Sequence, residues 1–427
     1  MSFAVDRVVV VGASLAGLRA VETLRQQEYT GEIVVVSDEA EQPYDRPPLS
    51  KKVLSGEWEP DRIRLRKPEI IDSLGVEWTL GDGAVALDTE QRVVRLRSGR
   101  DVAFDGLVIA TGGQVRRLPG QPDWTGIHEL RTLSDSLSLR SELEPGRRVV
   151  VIGAGFIGLE VAATARTRGC DVTVLEGAPA PLIRGLGADM GRHIARIHED
   201  NGVTVRCDVR VDAFVEGERG VVSGIRLADS EVIPADVVLV GVGVSPATGW
   251  LESSGLELRD GVVCDETLRA APRIYAAGDV ARWPNRLLGR EMRVEHWTNA
   301  SEQGAVAARN LLAESRGESR TAYESVPFFW SDQYTSRIQF IGRAEGDETV
   351  EIVAGSPDEH SFVALYHHGD ELRAALGVSR PKQVMPFSKL LAERASWKQA
   401  LELVATWEQC PGRCIANFSV TTISGID

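Results

Sequence analysis

Arg148-Val-Val-Val-Ile-Gly153-Ala-Gly155-Phe156-Ile157-Gly158 is the stretch whose reading decides the fold. An apolar β-run ends in glycines spaced G-x-G-x-x-G, a helical pattern follows through Arg168, and Asp171-Val-Thr-Val-Leu-Glu176 is a second β-run closed by an acid. In that order the glycines let the backbone approach a pyrophosphate. The helix N-terminus faces its charge, and Glu176 accepts hydrogen bonds from a ribose. A carboxylate there repels a 2′-phosphate, so NADH is expected over NADPH. Arg184, the nearest arginine downstream, moderates that preference without reversing it.

The same grammar opens the chain. Arg7-Val-Val-Val-Val leads into Gly12-Ala-Ser14-Leu15-Ala16-Gly17, a helical pattern runs through Leu24, and Ile33 to Val36 ends at Ser37-Asp38-Glu39. Ser14 replaces the middle glycine. Its Cβ shifts the phosphate slightly or its hydroxyl contacts it, and taken alone the motif reads equally as a tight turn with no ligand. Two such units imply two nucleotides, and the simplest pair is FAD with a nicotinamide cofactor that reduces it. The alternative is a duplication with one inactive site, against which both copies keep an acid after the second strand. Leu107-Val-Ile-Ala110-Thr111-Gly112-Gly113, Arg273-Ile-Tyr-Ala-Ala-Gly-Asp279 and Val237-Val-Leu-Val-Gly-Val-Gly243 are apolar strands ending in small residues. They fit backbone lying against a cofactor, or plain strand-to-loop turns.

Size and composition agree. With 427 residues there is room for two or three domains. A net charge of −14 argues against a generic nucleic-acid or anionic-membrane binder. The β-run beginning at Val8 leaves no room for a signal peptide, and no stretch reaches the roughly 20 apolar residues of a membrane span, so a cytoplasmic enzyme is expected. The five cysteines are too scattered for a disulfide scaffold or a zinc site, and no metal is expected. Only Cys410 and Cys414 lie close together, one residue further apart than a thioredoxin-like pair.

Tyr44-Asp-Arg46-Pro-Pro-Leu-Ser-Lys51, Leu130-Arg131-Thr-Leu133, Leu159-Glu160 after the second glycine motif, Ala277-Gly-Asp279, Val294-Glu295-His296-Trp297 and Phe329-Trp330-Ser-Asp-Gln333 recur in order. With these the chain resembles, nearly end to end, the FAD-containing ferredoxin reductases that serve oxygenases; the tail after about Pro381 matches least. The resemblance implies an α/β, glutathione-reductase-like fold with two Rossmann-type domains and a C-terminal α+β domain. FAD would take residues 1–113 and 245–322, an inserted NAD domain 114–244, and the interface domain 323–427. Breaks at Glu144-Pro-Gly, Ser245-Pro-Ala and Ser315-Arg-Gly agree.

Carried over by this resemblance, FAD meets Gly12, Ser14, Leu15, Ala16, Gly17, Asp38 or Glu39, Arg46, Lys51, Val85, Ala110, Thr111, Gly112, Arg131, Asp279, Glu295, His296 and Trp297. NADH meets Gly153, Gly155, Phe156, Ile157, Gly158, Glu160, Glu176 and Gly243. Lys51 is expected at the flavin, where an ammonium favours the anionic reduced ring. Glu160 is expected to reach the nicotinamide carboxamide, with Glu295 and Trp330 completing the pocket. Hydride would pass from NADH to FAD, then single electrons to a [2Fe-2S] or related ferredoxin, from a monomer or weak dimer. The rivals are a thiol-dependent reductase of the same fold, disfavoured because Asp38 to Leu65 holds no cysteine, and a flavoprotein resembling apoptosis-inducing factor, against which the net charge counts. Docking an acidic ferredoxin on an acidic chain demands a local basic patch. Arg62, Arg64, Arg66 and Lys67 form one candidate, Arg290 and Arg293 another.

Overall fold

The computed structural model describes residues 5–408, so Cys410 and Cys414 lie outside the described residues. The strand Arg7–Val11 sits inside a six-stranded sheet, with Glu32–Val36 parallel on one side and Gly106–Ile109 parallel on the other. Both neighbours are valine- and isoleucine-rich and buried along almost their whole length, as a parallel strand covered on both faces requires. The second side is completed from much later in the chain: Ile274–Ala276 pairs with Gly106–Ile109, and Arg269–Ala271 forms the edge. Between them lies a second, five-stranded parallel sheet centred on Arg148–Ile152, Asp171–Leu175 and Val237–Val240. The last unit is a five-stranded antiparallel sheet starting with Phe328–Gln333, followed by short helices and Trp397–Glu408. No described helix is long and apolar enough to cross a membrane.

Each glycine motif feeds a twelve-residue helix, Leu15–Gln26 and Phe156–Thr167. The outer glycines are demanded by the protein itself. A Cβ on Gly17 would stand 1.8 Å from the Gly12 carbonyl oxygen, and one on Gly158 would stand 2.1 Å from that of Gly153. Gly12 and Gly153 have φ of +116° and +101°, which side-chain-bearing residues rarely adopt. The middle position differs, because a Cβ on Gly155 meets nothing within 4 Å. Protein packing therefore tolerates Ser14 at the matching place, and its hydroxyl makes no capping bond to its own helix.

The two units also differ in where they keep their acid. Gly12 N–H donates to the Val36 carbonyl at 2.7 Å, and Gly153 N–H to that of Leu175 at 2.8 Å. These matching bonds align Ser37, not Asp38 or Glu39, with Glu176. Both units therefore keep an acid after the second strand, but in the first it arrives one or two residues later.

Gly158→Ala is expected to cost about 3 kcal/mol through backbone overpacking, whereas Gly155→Ala changes stability by less than about 0.5 kcal/mol. Urea unfolding of the two variants measures the difference.

Candidate active site

A cleft of about 750 Å³ lies where the two parallel sheets meet the antiparallel one. From the first unit come Ser14, Leu15 and Ala16; from the second Gly155, Phe156, Ile157, Glu160 and Gly243. Ala110, Thr111, Gly112, Asp279, Glu295, His296, Trp297 and Trp330 line it as well. The N-termini of both glycine-loop helices therefore open into one space, where each can hold a phosphate.

Lys51 and Glu160 meet at its floor. Lys51 Nζ lies 2.7 Å from Glu160 Oε2, and both side chains are largely sequestered, at 15% and 3% exposed. Local sequence sets this up. Pro47-Pro48-Leu49-Ser50 forms a tight 3-10 turn, and Lys51 Nζ donates back to the Pro47 carbonyl at 3.1 Å. Ser50 Oγ donates to Glu160 Oε2 at 2.5 Å, while Thr164, one helical turn beyond Glu160, donates to the Ser50 carbonyl at 2.8 Å. Ser331 Oγ donates to the other carboxylate oxygen at 2.6 Å. Each partner is a charge or an aligned donor, which is what a buried carboxylate needs to stay in place.

Arg46 is held by Glu39 and Tyr44 and donates to the Arg131 carbonyl at 2.7 Å. Arg131 in turn lies 3.1 Å from Asp279. The cleft wall opposite is aromatic. Trp297 and Trp330 meet edge to face at 6.2 Å, and the Trp297 indole donates to Asp45 at 2.7 Å. Burial raises the Asp45 carboxyl above its ordinary range, which the indole and Lys51 oppose.

Some expected residues act at a distance or elsewhere. Gly12, Gly17, Gly153 and Gly158 shape the turns from beneath. Glu176 accepts from the Ala154 and Ala178 N–H groups at 2.7 and 2.9 Å, which orients its carboxylate at the end of its strand. Asp38 does not line the cleft; it is exposed and paired with Arg97. Val85 is 45% exposed on a bulged strand and does not line the cleft. Glu295 lines the cleft but pairs with Arg293 at 2.7 Å.

In the candidate basic patches most arginines meet an acid, whereas Lys67 forms no ion pair among the described residues. Arg64 pairs with Asp61, Arg66 with Glu22, Arg290 with Glu345, and Arg293 with Asp260 and Glu295, while Arg62 lies over Trp58. Sequence clustering of arginines did not reveal the acids facing them. Two other cations were missed as cleft residues, Arg184 and Arg343. Both line the space and neither forms an ion pair among the described residues. Burial and the nearby Arg290 lower the Arg343 guanidinium. His296 Nδ1 is buried without a hydrogen-bond partner. Open helix ends and two guanidinium groups without an ion pair in one cleft suit polyanionic dinucleotides.

The comparisons with known proteins agree with this geometry. Residues 6–304 match the family model described as pyridine nucleotide-disulphide oxidoreductase, and residues 328–403 match one described as reductase C-terminal. Rhodocoxin reductase of Rhodococcus erythropolis is 37% identical, covering 90% of this chain and 89% of its own. The ferredoxin–NAD(+) reductase component of the anthranilate 1,2-dioxygenase system of Burkholderia cepacia is also 37% identical, covering 91% and 95%. The chain belongs to the ferredoxin–NAD(+) reductases of this family. The structure of a covalent putidaredoxin reductase–putidaredoxin complex superposes with a TM-score of 0.88 at 31% identity, covering 94% of this chain and 99% of that one. The glutathione-reductase-like fold follows, and FAD and NADH are the cofactors of this oxidoreductase.

Removing the cation alone should be costly. Lys51→Met is expected to lose about 3 kcal/mol by stranding a buried carboxylate, and Lys51→Met with Glu160→Gln to recover most of it. Urea unfolding of the single and double variants closes that cycle.

A second titration effect comes from His198, fully buried and lowered to about 4 by burial, against a weaker opposing hydrogen bond to Gln333. A folded-state value below the ordinary 6.5 means that the unfolded chain binds the proton more readily between pH 6.5 and 4. Stability from this group is full above that window and falls on acidification through it. Between pH 7 and 5 the loss is about 2 kcal/mol, and His198→Gln is expected to remove it from the pH profile of unfolding.

Proposed function

We propose that the chain is an NADH-dependent reductase that passes single electrons to a [2Fe-2S] or related ferredoxin supplying an oxygenase, working in the cytoplasm as a monomer or weak dimer. In this reading residues 1–113 and 245–322 carry FAD, 114–244 carry NADH, and 323–427 close the flavin side. The observation that carries it is the buried Lys51–Glu160 pair, set where both glycine-loop helices open into one cleft.

FAD accepts a hydride from NADH and returns electrons one at a time, which is the conversion a one-electron carrier requires. The protein supplies position and charge. Lys51 presents its ammonium to the flavin and Glu160 its carboxylate to the nicotinamide carboxamide, while Trp330 and Trp297 keep the aromatic side of the cleft dry. Ser14 offers its hydroxyl to the FAD pyrophosphate in the place where a Cβ is tolerated. Glu176 faces the NADH ribose and repels a 2′-phosphate.

Thiol chemistry lacks its reagent. Among the described residues no cysteine lines the cleft, and Cys170 and Cys264 are buried away from it, with burial pushing both thiols up. The ferredoxin reading is therefore favoured over a disulfide or persulfide reductase on this chain's own residues.

Anaerobic stopped-flow reduction is expected to favour NADH over NADPH by about 100-fold in kcat/KM, with Glu176→Ala narrowing the ratio about tenfold. Cytochrome c reduction should depend on an added [2Fe-2S] ferredoxin. Ferredoxin-independent turnover with every carrier in a panel would overturn the proposal.

A further inference from the structure

Behind Glu160 runs a line of buried polar groups that hydride chemistry at the cleft does not by itself explain. Ser331, Gln333 and His198 are each 0% exposed. Ser331 and Gln333 lie on the first strand of the antiparallel sheet, whereas His198 lies on the helix Ala188–Asp200 of the NAD-side unit. Ser331 Oγ donates to Glu160 Oε1 at 2.6 Å, and Gln333 Nε2 donates to Ser331 Oγ at 3.1 Å. Gln333 Oε1 lies 2.8 Å from His198 Nε2, and the Tyr334 hydroxyl lies 3.4 Å from His198 Nδ1.

The directions of these bonds are coupled. An amide oxygen only accepts, so His198 carries its proton on Nε2 and leaves Nδ1 to accept from Tyr334. The carboxylate sets the sense of the whole line, because it can only accept and so takes the Ser331 proton, leaving Ser331 Oγ to accept from Gln333. The amide NH₂ then donates to Ser331, and the Ser331 proton is left for Glu160. Turning the amide over would put its oxygen against Ser331 and draw the Ser331 proton away from the carboxylate, and His198 opposes that turn as long as its proton stays on Nε2. Gln333 holds no readily transferable proton, so the line orients and does not conduct.

We infer that His198 and Gln333 are positioning residues, acting through Ser331 to aim the Glu160 carboxylate at the nicotinamide. The inference rests on the proposed role of Glu160. A carboxylate held by Lys51 and Ser50 on one oxygen and by Ser331 on the other has a fixed plane, and the carboxamide it binds takes its orientation from that plane. Misorientation of the carboxamide acts on the reacting geometry, so it is expected to slow the hydride step more than it weakens binding.

The test is anaerobic stopped-flow reduction of the FAD-loaded holoenzyme over a range of NADH concentrations, normalised to bound flavin. His198→Phe keeps a ring beside Tyr334 but donates nothing; Gln333→Glu accepts where the amide donated; His198→Gln restores a donor to Gln333. His198→Phe and Gln333→Glu are expected to lower the limiting rate about tenfold with less than a twofold change in NADH Kd. Reduction by dithionite should be unchanged, His198→Gln should stay within twofold of the parent, and Glu160→Gln should be at least as slow as the other two. Parental limiting rates in His198→Phe and Gln333→Glu, with Glu160→Gln slow, overturn the inference and leave the Glu160 reading standing. A parental rate in Glu160→Gln overturns both. Equal losses in His198→Gln and His198→Phe also overturn it, because donor geometry is then irrelevant and ring packing accounts for the effect.

Discussion

A single buried negative charge imposes conditions on three parts of this chain. Glu160 is placed by the helix after the second glycine motif, its cation comes from the turn after Pro47-Pro48, and a third partner comes from the C-terminal sheet. Stranding such a carboxylate costs several kcal/mol, so neutral or charged partners from each part must arrive together. The closed arrangement is thereby favoured over looser packings of the same units. The cleft inherits its shape from that requirement, because Lys51, Glu160 and Trp330 are fixed relative to one another before any cofactor contributes.

Charge elsewhere in the molecule behaves differently. Most arginines near the candidate docking face are matched by acids: Arg64–Asp61 and Arg290–Glu345 are partly or fully exposed pairs that contribute little to stability, and Arg66 is held by the buried Glu22, so local potential is largely cancelled. Within the cleft the pattern reverses: Arg184 and Arg343 have no matching acid among the described residues, and His296 keeps a buried nitrogen without a partner. Uncompensated donors are tolerable where the working state brings anions to them.

Much of this was legible beforehand. The two glycine motifs declared both parallel sheets, because positive-φ glycines and runs of valine have few other uses together. The Pro-Pro turn before Lys51 and the acid two residues after Gly158 pointed to the floor of the cleft. Three features were not legible. Side-chain pairing across units is a matter of tertiary contact, so Arg66 read as free when Glu22 holds it. Which of Asp38 and Glu39 serves the first nucleotide stays open in the sequence, and the backbone bonds of Gly12 and Gly153 set Ser37 at the place of Glu176. His198 carried no signal at all: it sits inside an unremarkable amphipathic helix, and only the arrival of Gln333 from 135 residues away gives it a role.

The sheet that begins at Arg7 is finished by strands that begin at Arg269. On a ribosome the N-terminal glycine loop emerges long before Ile274–Ala276 exists to cover the open side of Gly106–Ile109. The intervening sheet has all its own strands in one continuous stretch, from Ile127 to Val240. Synthesis therefore delivers a foldable middle before a foldable beginning. The flavin-side unit remains an unfinished edge, unable to grip its cofactor, until nearly two-thirds of the polypeptide has left the tunnel.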